Sequence, residues 1–370
     1  MDNTTSETKK ISLTKLDKLK RIKKAIRKQK TAVPVPTIPL VAVEPPLVKR
    51  DPKKTTTISM AVPASIVLNS QSPELQTYLV GQIARSASIF RIDEIVVIND
   101  CTSSSEAAKL KRKHGDALNF FVKNLEYLET PQYLRRALFP VMPELQYTGL
   151  MNPLDAPHHL RQDEWSIYRE GVVINRPVKN EKGSWVNIGL RKDCQIEIKL
   201  AVGTRVTVKI NEDQDAEVKY FTGTVVSQLE PKEKLGKYWG YNVRIAENLS
   251  EALNNCPYIE GKYDLMLGTS DKGESYRSLE IKELPYYKHA MILFGGLPGI
   301  EGLIEADENM KVPPEDAEKL FQYYVNTCPD QGCRTIRTEV WINVKNGIGS
   351  YNYFAGSADS GTKRLIAKDK

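Results

Sequence analysis

Near its C-terminal end the chain reads NTCPDQGCRTIRTE over residues 326–339. This segment combines a proline, a glycine, two arginines and several small hydroxyl residues, and it follows a strand-like aromatic run over 321–325. A loop of this composition presents backbone N–H groups and cations to a small polar ligand. Two other apolar runs end in similar loops, GTS over 268–270 and FGGLPG over 294–299. Three strand ends of this kind predict one shared pocket.

Upstream of these loops the chain alternates between strand and helix patterns. Apolar runs over 58–63 and 92–98 predict strands, and the periodicity over 73–88 predicts a helix with Pro73 in its first turn. Helical patterns follow over 103–123 and 131–139. This alternation predicts an α/β domain built on a parallel sheet.

The pattern changes after about residue 163 into short β-rich runs separated by turn residues. Such runs predict a small antiparallel barrel of the OB type. Strand character typical of the first domain resumes at 263–267, so the barrel is predicted to be an insertion into one α/β domain. The six runs cover 171–174, 184–189, 194–198, 205–210, 220–227 and 238–245.

The positive charge of the chain is concentrated at its N-terminus. Residues 1–57 hold 15 Lys and Arg against 5 Asp and Glu, a charge of +10, so the remainder of a chain of net charge +7 carries −3. The spacing of leucines and isoleucines over 9–30 fits either an amphipathic helix or a solvated, disordered tail. Residues 31–52 contain six prolines and are predicted to be a linker. The basic runs suit nuclear import or loose contact with phosphates.

Composition also narrows the class of protein. The chain is 41% hydrophobic and has 370 residues, enough for two domains or one large one. Its five cysteines form no C-x-x-C pair and its four histidines show no metal-ligand spacing, which predicts a reduced intracellular protein without a metal site. No apolar run approaches the roughly 18 residues of a membrane-spanning helix.

Common nucleotide-binding and hydrolase motifs are absent from the sequence. There is no G-x-G-x-x-G after a strand, no P-loop and no G-x-S-x-G elbow. The glycine-rich segment over 295–299 would by itself be read most simply as a plain turn. Its position at one of three similar strand ends is what makes it a candidate for ligand binding.

The motifs together resemble one family. These are YDL and GTS within 263–270, HAMILFGGL over 289–297, and NTCP-x-QG-x-RTIRTE over 326–339, with PQYLRR over 131–136 and GLMNPLD-x-PHHLRQDE over 149–164. They resemble the SPOUT-class RNA methyltransferases with an OB-like insertion, closest to eukaryotic members associated with kinetochores and the spindle and to their archaeal relatives. The resemblance covers about residues 58–340.

The resemblance implies a SPOUT α/β knot, in which the C-terminal part forms a trefoil knot, a rare exception to unknotted topology. It also implies a homodimer. The expected division of the chain is a tail and linker over 1–57, the first half of the SPOUT domain over 58–163, the OB-like insertion over 164–247, the second half with the knot over 248–345, and an atypical tail over 346–370.

The cofactor implied by the resemblance is S-adenosylmethionine, bound mainly by backbone groups of the three loops. Leucine, phenylalanine and isoleucine side chains suit its adenine, and glycines let the backbone approach closely. The implied cofactor-binding residues are Gly268, Thr269, Ser270, Leu293, Phe294, Gly295, Gly296, Leu297, Gly302, Asn326, Pro329, Gln331, Gly332, Thr335, Ile336 and Thr338.

Methyl transfer from a sulfonium needs an aligned nucleophile, so positioning should dominate the rate. A ring nitrogen that carries a proton also needs a route for losing it. The candidate catalytic residues are Arg85, Arg91 and Arg337, and uridine is the first choice of substrate base. The candidate RNA-binding residues are Arg135, Arg136, His158, His159 and Arg161.

Each candidate outside the loops has an alternative structural role. The pair His158-His159 fits a turn or a structural hydrogen-bond pair, and Arg135-Arg136 fits a solvated helix face. Cys328 and Cys333 fit packing residues better than nucleophiles, since no basic partner is evident. The aromatic run Tyr238, Trp239 and Tyr241 suits either base stacking or the core of the barrel.

The sequence departs from the family pattern after Glu339. Relatives continue there as a helix, whereas this chain reads VWINVKNGIGS over 340–350, with two glycines and several β-branched residues that disfavour a helix. That helix helps to close the knot and the dimer in this family, so cofactor binding or dimer stability is in question here. A different final exon or reading frame would produce the same ending.

The leading hypothesis is an S-adenosylmethionine-dependent RNA methyltransferase guided to RNA by its barrel and basic tail. The alternative is a non-catalytic adaptor of the same fold that binds RNA or a kinetochore or spindle protein, and a third is an OB-type nucleic-acid-binding module. The expected location is the nucleus, including the nucleolus, with the kinetochore or spindle in mitosis and a cytoplasmic pool.

Overall fold

The computed structural model describes residues 56–100, 117–178, 183–211, 218–258, 261–276, 285, 287–334, 336–340 and 342. The basic tail and linker predicted for residues 1–57 lie outside the described residues except for the last two positions. The atypical C-terminal tail predicted for 346–370 also lies outside them, as does Thr335 in the third loop.

Strands of the described residues form a parallel sheet and a separate barrel. The sheet contains β1 (Thr57–Pro63), β2 (Glu94–Ile98), β8 (Asn242–Ala246), β9 (Leu265–Ser275), β10 (His289–Phe294) and β11 (Tyr323–Asn326). The barrel contains β3 (Tyr168–Ile174), β4 (Ser184–Asn187), β5 (Cys194–Ile196), β6 (Arg205–Ile210) and β7 (Phe221–Val226).

The six-stranded sheet has the order β11-β9-β10-β1-β2-β8, and every adjacent pair is parallel. All seven residues of β1 and all six of β10 are buried, as expected for strands covered on both faces. Because the strands are parallel, the segments that follow β9, β10 and β11 all leave the sheet on the side where the strands end, here called the carboxyl edge. The predicted α/β class with a parallel sheet is confirmed.

Helices cover both faces of this sheet. One face packs against α1 (Pro73–Ile89) and α2 (Ala117–Glu129), and the other against α5 (Leu249–Asn254) and α6 (Glu301–Glu305). Two further helices are α3 (Gln132–Leu138) and α4 (Glu230–Leu235). The sequence places the start of α1 correctly: Ser72 is its N-cap, and the Ser72 hydroxyl accepts a hydrogen bond from the Leu75 amide at 3.4 Å.

The barrel closes in the order β3-β4-β5-β7-β6 around an apolar core that includes Val186, Ile196 and Val208. Four of its pairs are antiparallel, and β5 pairs with β7 in parallel. A closed barrel of small size in this part of the chain is confirmed. It contains five of the six predicted strands.

The sixth predicted barrel strand belongs to the main sheet. Residues Asn242–Ala246 form β8, which pairs in parallel with β2 at the sheet edge. The Arg244 guanidinium lies 2.7 Å from the Glu94 carboxylate of β2 and so holds this edge strand in place. A short alternating run fits an edge strand as well as a barrel strand, and the periodicity alone does not distinguish the two.

Candidate functional site

A cavity of about 470 Å³ lies at the carboxyl edge of the sheet, where the segments after β9, β10 and β11 meet. Pockets of a few hundred cubic ångströms are the usual size for small-molecule and cofactor sites. The residues that line it are Asn69, Thr269, Ser270, Asp271, Lys272, Phe294, Gly295, Gly296, Leu297, Pro298, Gly299, Glu301, Gln331, Ile336, Arg337 and Thr338.

The loop after β10 is a tight glycine turn. The Gly299 amide donates to the Gly296 carbonyl at 3.1 Å, and Gly299 has φ of +81°, a left-handed conformation that favours glycine. A Cβ at Gly295 would lie 2.5 Å from the Gly299 carbonyl carbon, so only glycine fits there. The turn leaves Leu297 at its tip with 74% of its surface exposed, an apolar side chain facing the open cavity.

Hydrogen bonds connect the three loops to one another. The Thr338 hydroxyl donates to the Gly295 carbonyl at 2.8 Å, which ties the third loop to the glycine turn. The Asn326 side-chain amide donates to the Asp271 carbonyl at 2.8 Å, and its oxygen accepts from the Cys328 amide at 2.9 Å. The cavity walls are therefore held by bonds between loops that are far apart in sequence.

Charged groups of both signs lie at the mouth of the cavity. The Lys272 ammonium lies 2.7 Å from the Glu301 carboxylate, and this hydrogen bond and the charge of Glu301 raise the pKa of Lys272. Asp271 and Arg337 add a second carboxylate and a second cation, and the Arg337 side chain is 59% exposed. Such a set suits a ligand that carries both charges.

The structure brings together ten of the predicted site residues in this cavity. They are Thr269, Ser270, Phe294, Gly295, Gly296, Leu297, Gln331, Ile336 and Thr338 from the cofactor set, with the candidate catalytic residue Arg337.

Six predicted cofactor residues do not line the cavity. Gly268 packs beneath Phe321 and Tyr324, and Gly302 packs against Pro298. Leu293 is fully buried in the sheet core. The others are Asn326, which holds the loops together, and Pro329 and Gly332.

Six lining residues are not among the predicted site residues, although two of them belong to a loop that was predicted to form the pocket. Asp271 and Lys272 directly follow the predicted GTS loop, Pro298 and Gly299 belong to the glycine turn, and Glu301 lies two residues beyond it. Their proximity to the predicted loops was an available signal. Asn69 comes from the segment after β1 and carries no motif that would indicate its position.

Two predicted catalytic arginines lie away from the cavity. Helix α1 starts near the carboxyl edge of the sheet and runs back toward the opposite edge, so Arg85 and Arg91 lie near its far end. The Arg85 guanidinium donates to the Pro153 carbonyl at 2.7 Å, and that of Arg91 donates to the Gly236 carbonyl at 2.8 Å. Both side chains fasten neighbouring segments, and neither lines the cavity of its own chain.

The two predicted RNA-binding histidines lie at the junction of helix α2 with the barrel. The Nε2 atoms of His158 and His159 lie 2.9 and 2.7 Å from the Glu129 carbonyl oxygen. Because a carbonyl only accepts, both rings carry their proton on Nε2. His158 is fully buried, so the structural role of this residue replaces its predicted contact with RNA.

The same junction holds a buried ion network. Arg205 of β6 donates to both Glu129 and Glu170, with distances of 2.5 and 2.8 Å, and the Trp239 indole donates to Glu170 at 2.8 Å. Burial alone raises the pKa of Glu129, but the Arg205 guanidinium and the His158 ring outweigh it and hold that pKa well below its usual range. The network joins the barrel to the sheet domain.

The predicted RNA-binding arginines separate into two kinds. Arg135 caps helix α2, since its guanidinium donates to the Thr130 and Leu128 carbonyls at 2.9 and 3.1 Å. Arg136 and Arg161 are exposed. Only these last two present a free surface on which a phosphate can bind.

The aromatic run beside the barrel is internal. Tyr238, Trp239 and Tyr241 are all at least 94% buried, and the Tyr241 hydroxyl donates to the Leu125 carbonyl at 2.9 Å. The predicted base stacking is therefore ruled out for these buried rings, but they do not fill the barrel core either: Tyr241 packs in the core of the sheet domain. Of the two loop cysteines, Cys333 is exposed and Cys328 is half-buried.

Two features are absent from the described residues. In that part of the chain, no helix combines the length and apolar character required to cross a bilayer. Within the same residues, no cluster of three or more His, Cys, Asp or Glu side chains is arranged to hold a metal ion.

Comparison with known proteins identifies the family. A family described as "Putative RNA methyltransferase" matches residues 57–344. A mouse 28S rRNA (uridine-N(3))-methyltransferase is 49% identical over 76% of this chain and 73% of its own length, and the human protein of that name is 47% identical over 79% and 77%. An uncharacterised protein of Halobacterium salinarum is 28% identical over 76% of this chain and 95% of its own length. The chain thus belongs to this family of RNA methyltransferases.

Proposed function

We propose that this protein transfers a methyl group from S-adenosylmethionine to N3 of a uridine in large-subunit ribosomal RNA. The observation that carries the proposal is the cavity of about 470 Å³ walled by the loops after three adjacent parallel strands. Relatives that are 43–49% identical are named 28S rRNA (uridine-N(3))-methyltransferases, which supports the choice of substrate.

The residues of the cavity fit this cofactor. Leu297 is largely exposed at the tip of its turn, and with Phe294 and Ile336 it offers apolar contact for an adenine ring. The carboxylates of Asp271 and Glu301 suit an ammonium group, and Lys272 and Arg337 suit a carboxylate. S-adenosylmethionine, when bound, supplies a methyl group on a positively charged sulfur.

The chain contributes chiefly by positioning. The bonds from Thr338 to Gly295 and from Asn326 to Asp271 fix the loops before any ligand arrives, which lowers the entropy lost on binding. Arg337 lines the cavity and extends into solvent, so we assign it the role of orienting the RNA base or its phosphate. Arg85 and Arg91 take no part in the cavity of their own chain.

We infer that the C-terminal part forms the trefoil knot of the family. Strand β11 lies at the sheet edge beyond β9, and the chain then returns across β9 so that Thr338 meets Gly295 after β10. A return of this kind is the crossing that a knot requires. We propose the division into a SPOUT domain over 58–163 and 248–345 with an OB-type insertion over 164–247, except that β8 belongs to the sheet and the insertion ends before Asn242.

We also propose that two copies form a homodimer. Helix α1 exposes Leu75, Tyr78 and Ile89, with exposed fractions of 55%, 46% and 55%. These residues and Arg85 share its outer face, because their spacings of three, seven and four residues follow the helical repeat. An apolar stripe on the surface of a helix is typical of an interface.

A ribosomal RNA substrate places the protein in the nucleus, and in the nucleolus within it, where we propose that it acts. Exposed Arg136 and Arg161 remain our candidates for RNA contact outside the cavity. No feature of the described residues favours a kinetochore or spindle protein as the partner. Cofactor binding distinguishes the enzyme from a non-catalytic adaptor of the same fold.

Isothermal titration of the full chain with S-adenosylmethionine tests the cofactor site. We expect saturable binding with one site per chain, and we expect Gly296→Trp to abolish it because Gly296 lines the cavity and an indole would fill it. Methyl transfer is then measured on large-subunit rRNA with mass spectrometry of the nucleosides, where N3-methyluridine is the expected product. A folded sample that shows no saturable binding and no transfer would favour the adaptor.

A further inference from the structure

A second cavity, of about 360 Å³, lies on the barrel, remote in sequence from the loops of the first. Trp165 forms one wall and is 60% exposed, an unusual exposure for the largest aromatic side chain. Its ring lies 5.6 Å from that of Phe221, the first residue of β7, with 51° between the ring planes. The cavity thus presents an open aromatic surface backed by a buried ring.

Cations border the aromatic surface. Arg191 and Lys192 line the same cavity from a second segment, just before β5, and the Arg191 side chain is exposed. Asp163 and Glu164 lie on the wall with Trp165, where the Glu164 carboxylate accepts a hydrogen bond from the Arg161 amide at 2.8 Å. The cations and carboxylates therefore come from two different segments of the chain.

A fully buried arginine holds both walls. The Arg169 guanidinium donates to the carbonyls of Arg161 and Glu164 at 2.9 and 2.5 Å, which fixes the turn that carries Trp165. The same side chain donates to the Ile188 carbonyl at 2.8 Å, shortly before Arg191. A buried cation with three carbonyl partners makes the cavity a preformed feature, so little conformational entropy is lost when a ligand enters.

We propose that this cleft binds one unpaired nucleobase of the RNA, stacked on the Trp165 indole, with Arg191 and Lys192 facing its phosphate. Base stacking on exposed aromatic rings beside cations is how proteins hold single-stranded RNA. A base inside a duplex is stacked on both of its neighbours, so neither face is free for Trp165. The cleft therefore selects single-stranded segments. The inference depends on the proposed function only in taking RNA as the ligand.

Fluorescence anisotropy of a labelled single-stranded oligoribonucleotide of about 12 nucleotides tests the cleft at constant salt. We expect Trp165→Ala to weaken binding by about 5- to 150-fold, the equivalent of about 1–3 kcal/mol for one stacked base. Trp165→Phe keeps a ring and should lose much less. Because Trp165 is mostly exposed, its replacement should leave the thermal unfolding midpoint nearly unchanged.

The matched control is Tyr220→Ala. Tyr220 is 40% exposed on the same barrel and precedes Phe221, but it packs against Trp185 and does not line the cleft. We expect it to leave RNA binding within about twofold of the unmodified protein, and a duplex of equal length to show no dependence on Trp165. Equal losses in both variants, or no loss in Trp165→Ala, would overturn the proposal.

Titration of Trp165→Ala with S-adenosylmethionine separates this inference from the proposed function. Unchanged cofactor affinity with weakened RNA binding supports both. If the unmodified chain does not bind the cofactor but Trp165→Ala weakens RNA binding, the stacking cleft is supported and the proposed methyl transfer is refuted. A cleft that is covered by a second copy would instead show as a change in oligomeric state of Trp165→Ala, and this result would refute RNA as its occupant.

Discussion

Two polar constellations stand out in this protein, and they differ in where their hydrogen bonds go. At the junction of helix α2 and the barrel, the Glu129 carboxylate bonds to both Arg205 and His158 within the protein. At the carboxyl edge of the sheet, Lys272 and Arg337 extend from the loops with side chains that are 73% and 59% exposed. The first set is closed, whereas the second faces an open cavity.

This difference shows that residue type alone does not distinguish a binding site from a structural link. A His-His pair and a glycine turn are both typical of functional motifs. The histidines meet a carbonyl inside the protein, whereas the glycine turn leaves Leu297 exposed. Burial and hydrogen bonds within the protein therefore distinguish the structural link from the binding site. The following substitutions test this distinction.

The largest effect is expected at the junction. Arg205→Met would leave Glu129 and Glu170 buried without their cation, and breaking a buried ion network in this way costs about 3–5 kcal/mol. We expect a loss of that size in the free energy of unfolding, measured by urea denaturation. Cofactor affinity at temperatures where the variant is folded should change little, since Arg205 does not line the sheet cavity.

The matched control is Arg176→Met, which removes another arginine that pairs with a carboxylate next to the barrel. Arg176 lies 2.9 Å from Asp193, but its side chain is 50% exposed, and exposed pairs contribute about 0–1 kcal/mol. If the two variants lost the same stability, the junction would be no more than a surface ion pair.

The junction should also make stability depend on pH. Burial and the neighbouring His158 lower the pKa of His159 to about 4, whereas the unfolded chain titrates near 6.5. Between these values the unfolded chain binds a proton that the folded chain does not, so the free energy of unfolding falls as pH is lowered from about 6.5 to 4. The expected loss is on the order of 2 kcal/mol.

Urea denaturation across this pH range measures the effect, with His159→Gln as the comparison. A glutamine amide can still donate to the Glu129 carbonyl but does not titrate, so this variant should show a flatter pH dependence. A variant with the same slope as the unmodified chain would assign the effect to other groups.

Much of the architecture was predictable because it depends on local pattern. Helix α1 and strands β1 and β2 lie within a few residues of their predicted bounds, since continuous apolar runs and an N-terminal Pro are strong signals. The cavity was predictable for a related reason. Parallel strands leave the sheet at one edge, so three loops of similar composition had to meet.

The junction was not predictable because its contacts are distant in sequence. Glu129 and Arg205 are 76 residues apart, and Tyr241 meets Leu125 across 116 residues. No local pattern around His158 indicates that its partner is the end of a helix 29 residues earlier. The same limit explains why the sequence pattern places β8 in the barrel. Its partner in the sheet, β2, precedes it by far more than the length of a hairpin.

The smallest effect is expected from alanine substitutions at the glycines of the cavity loops, which the sequence alone does not distinguish from one another. A Cβ at Gly295 would meet the Gly299 and Ile300 backbone at 2.5 and 2.7 Å, whereas one at Gly332 would meet no described atom within 4 Å. Backbone cannot move aside as a flexible side chain can, so Gly295→Ala must shift the turn that carries Leu297. We expect it to weaken S-adenosylmethionine binding by about tenfold, or about 1.4 kcal/mol.

Gly332→Ala is the comparison, and it should keep cofactor affinity within about twofold because nothing obstructs the added methyl group. Isothermal titration measures both variants, and circular dichroism confirms that each is folded. Equal losses would mean that the third loop approaches the ligand as closely as the glycine turn does, and the boundary of the site would then extend to Gly332. Unequal losses in the expected direction would show that steric contact, and not the presence of glycine, determines which loop positions the cofactor site requires.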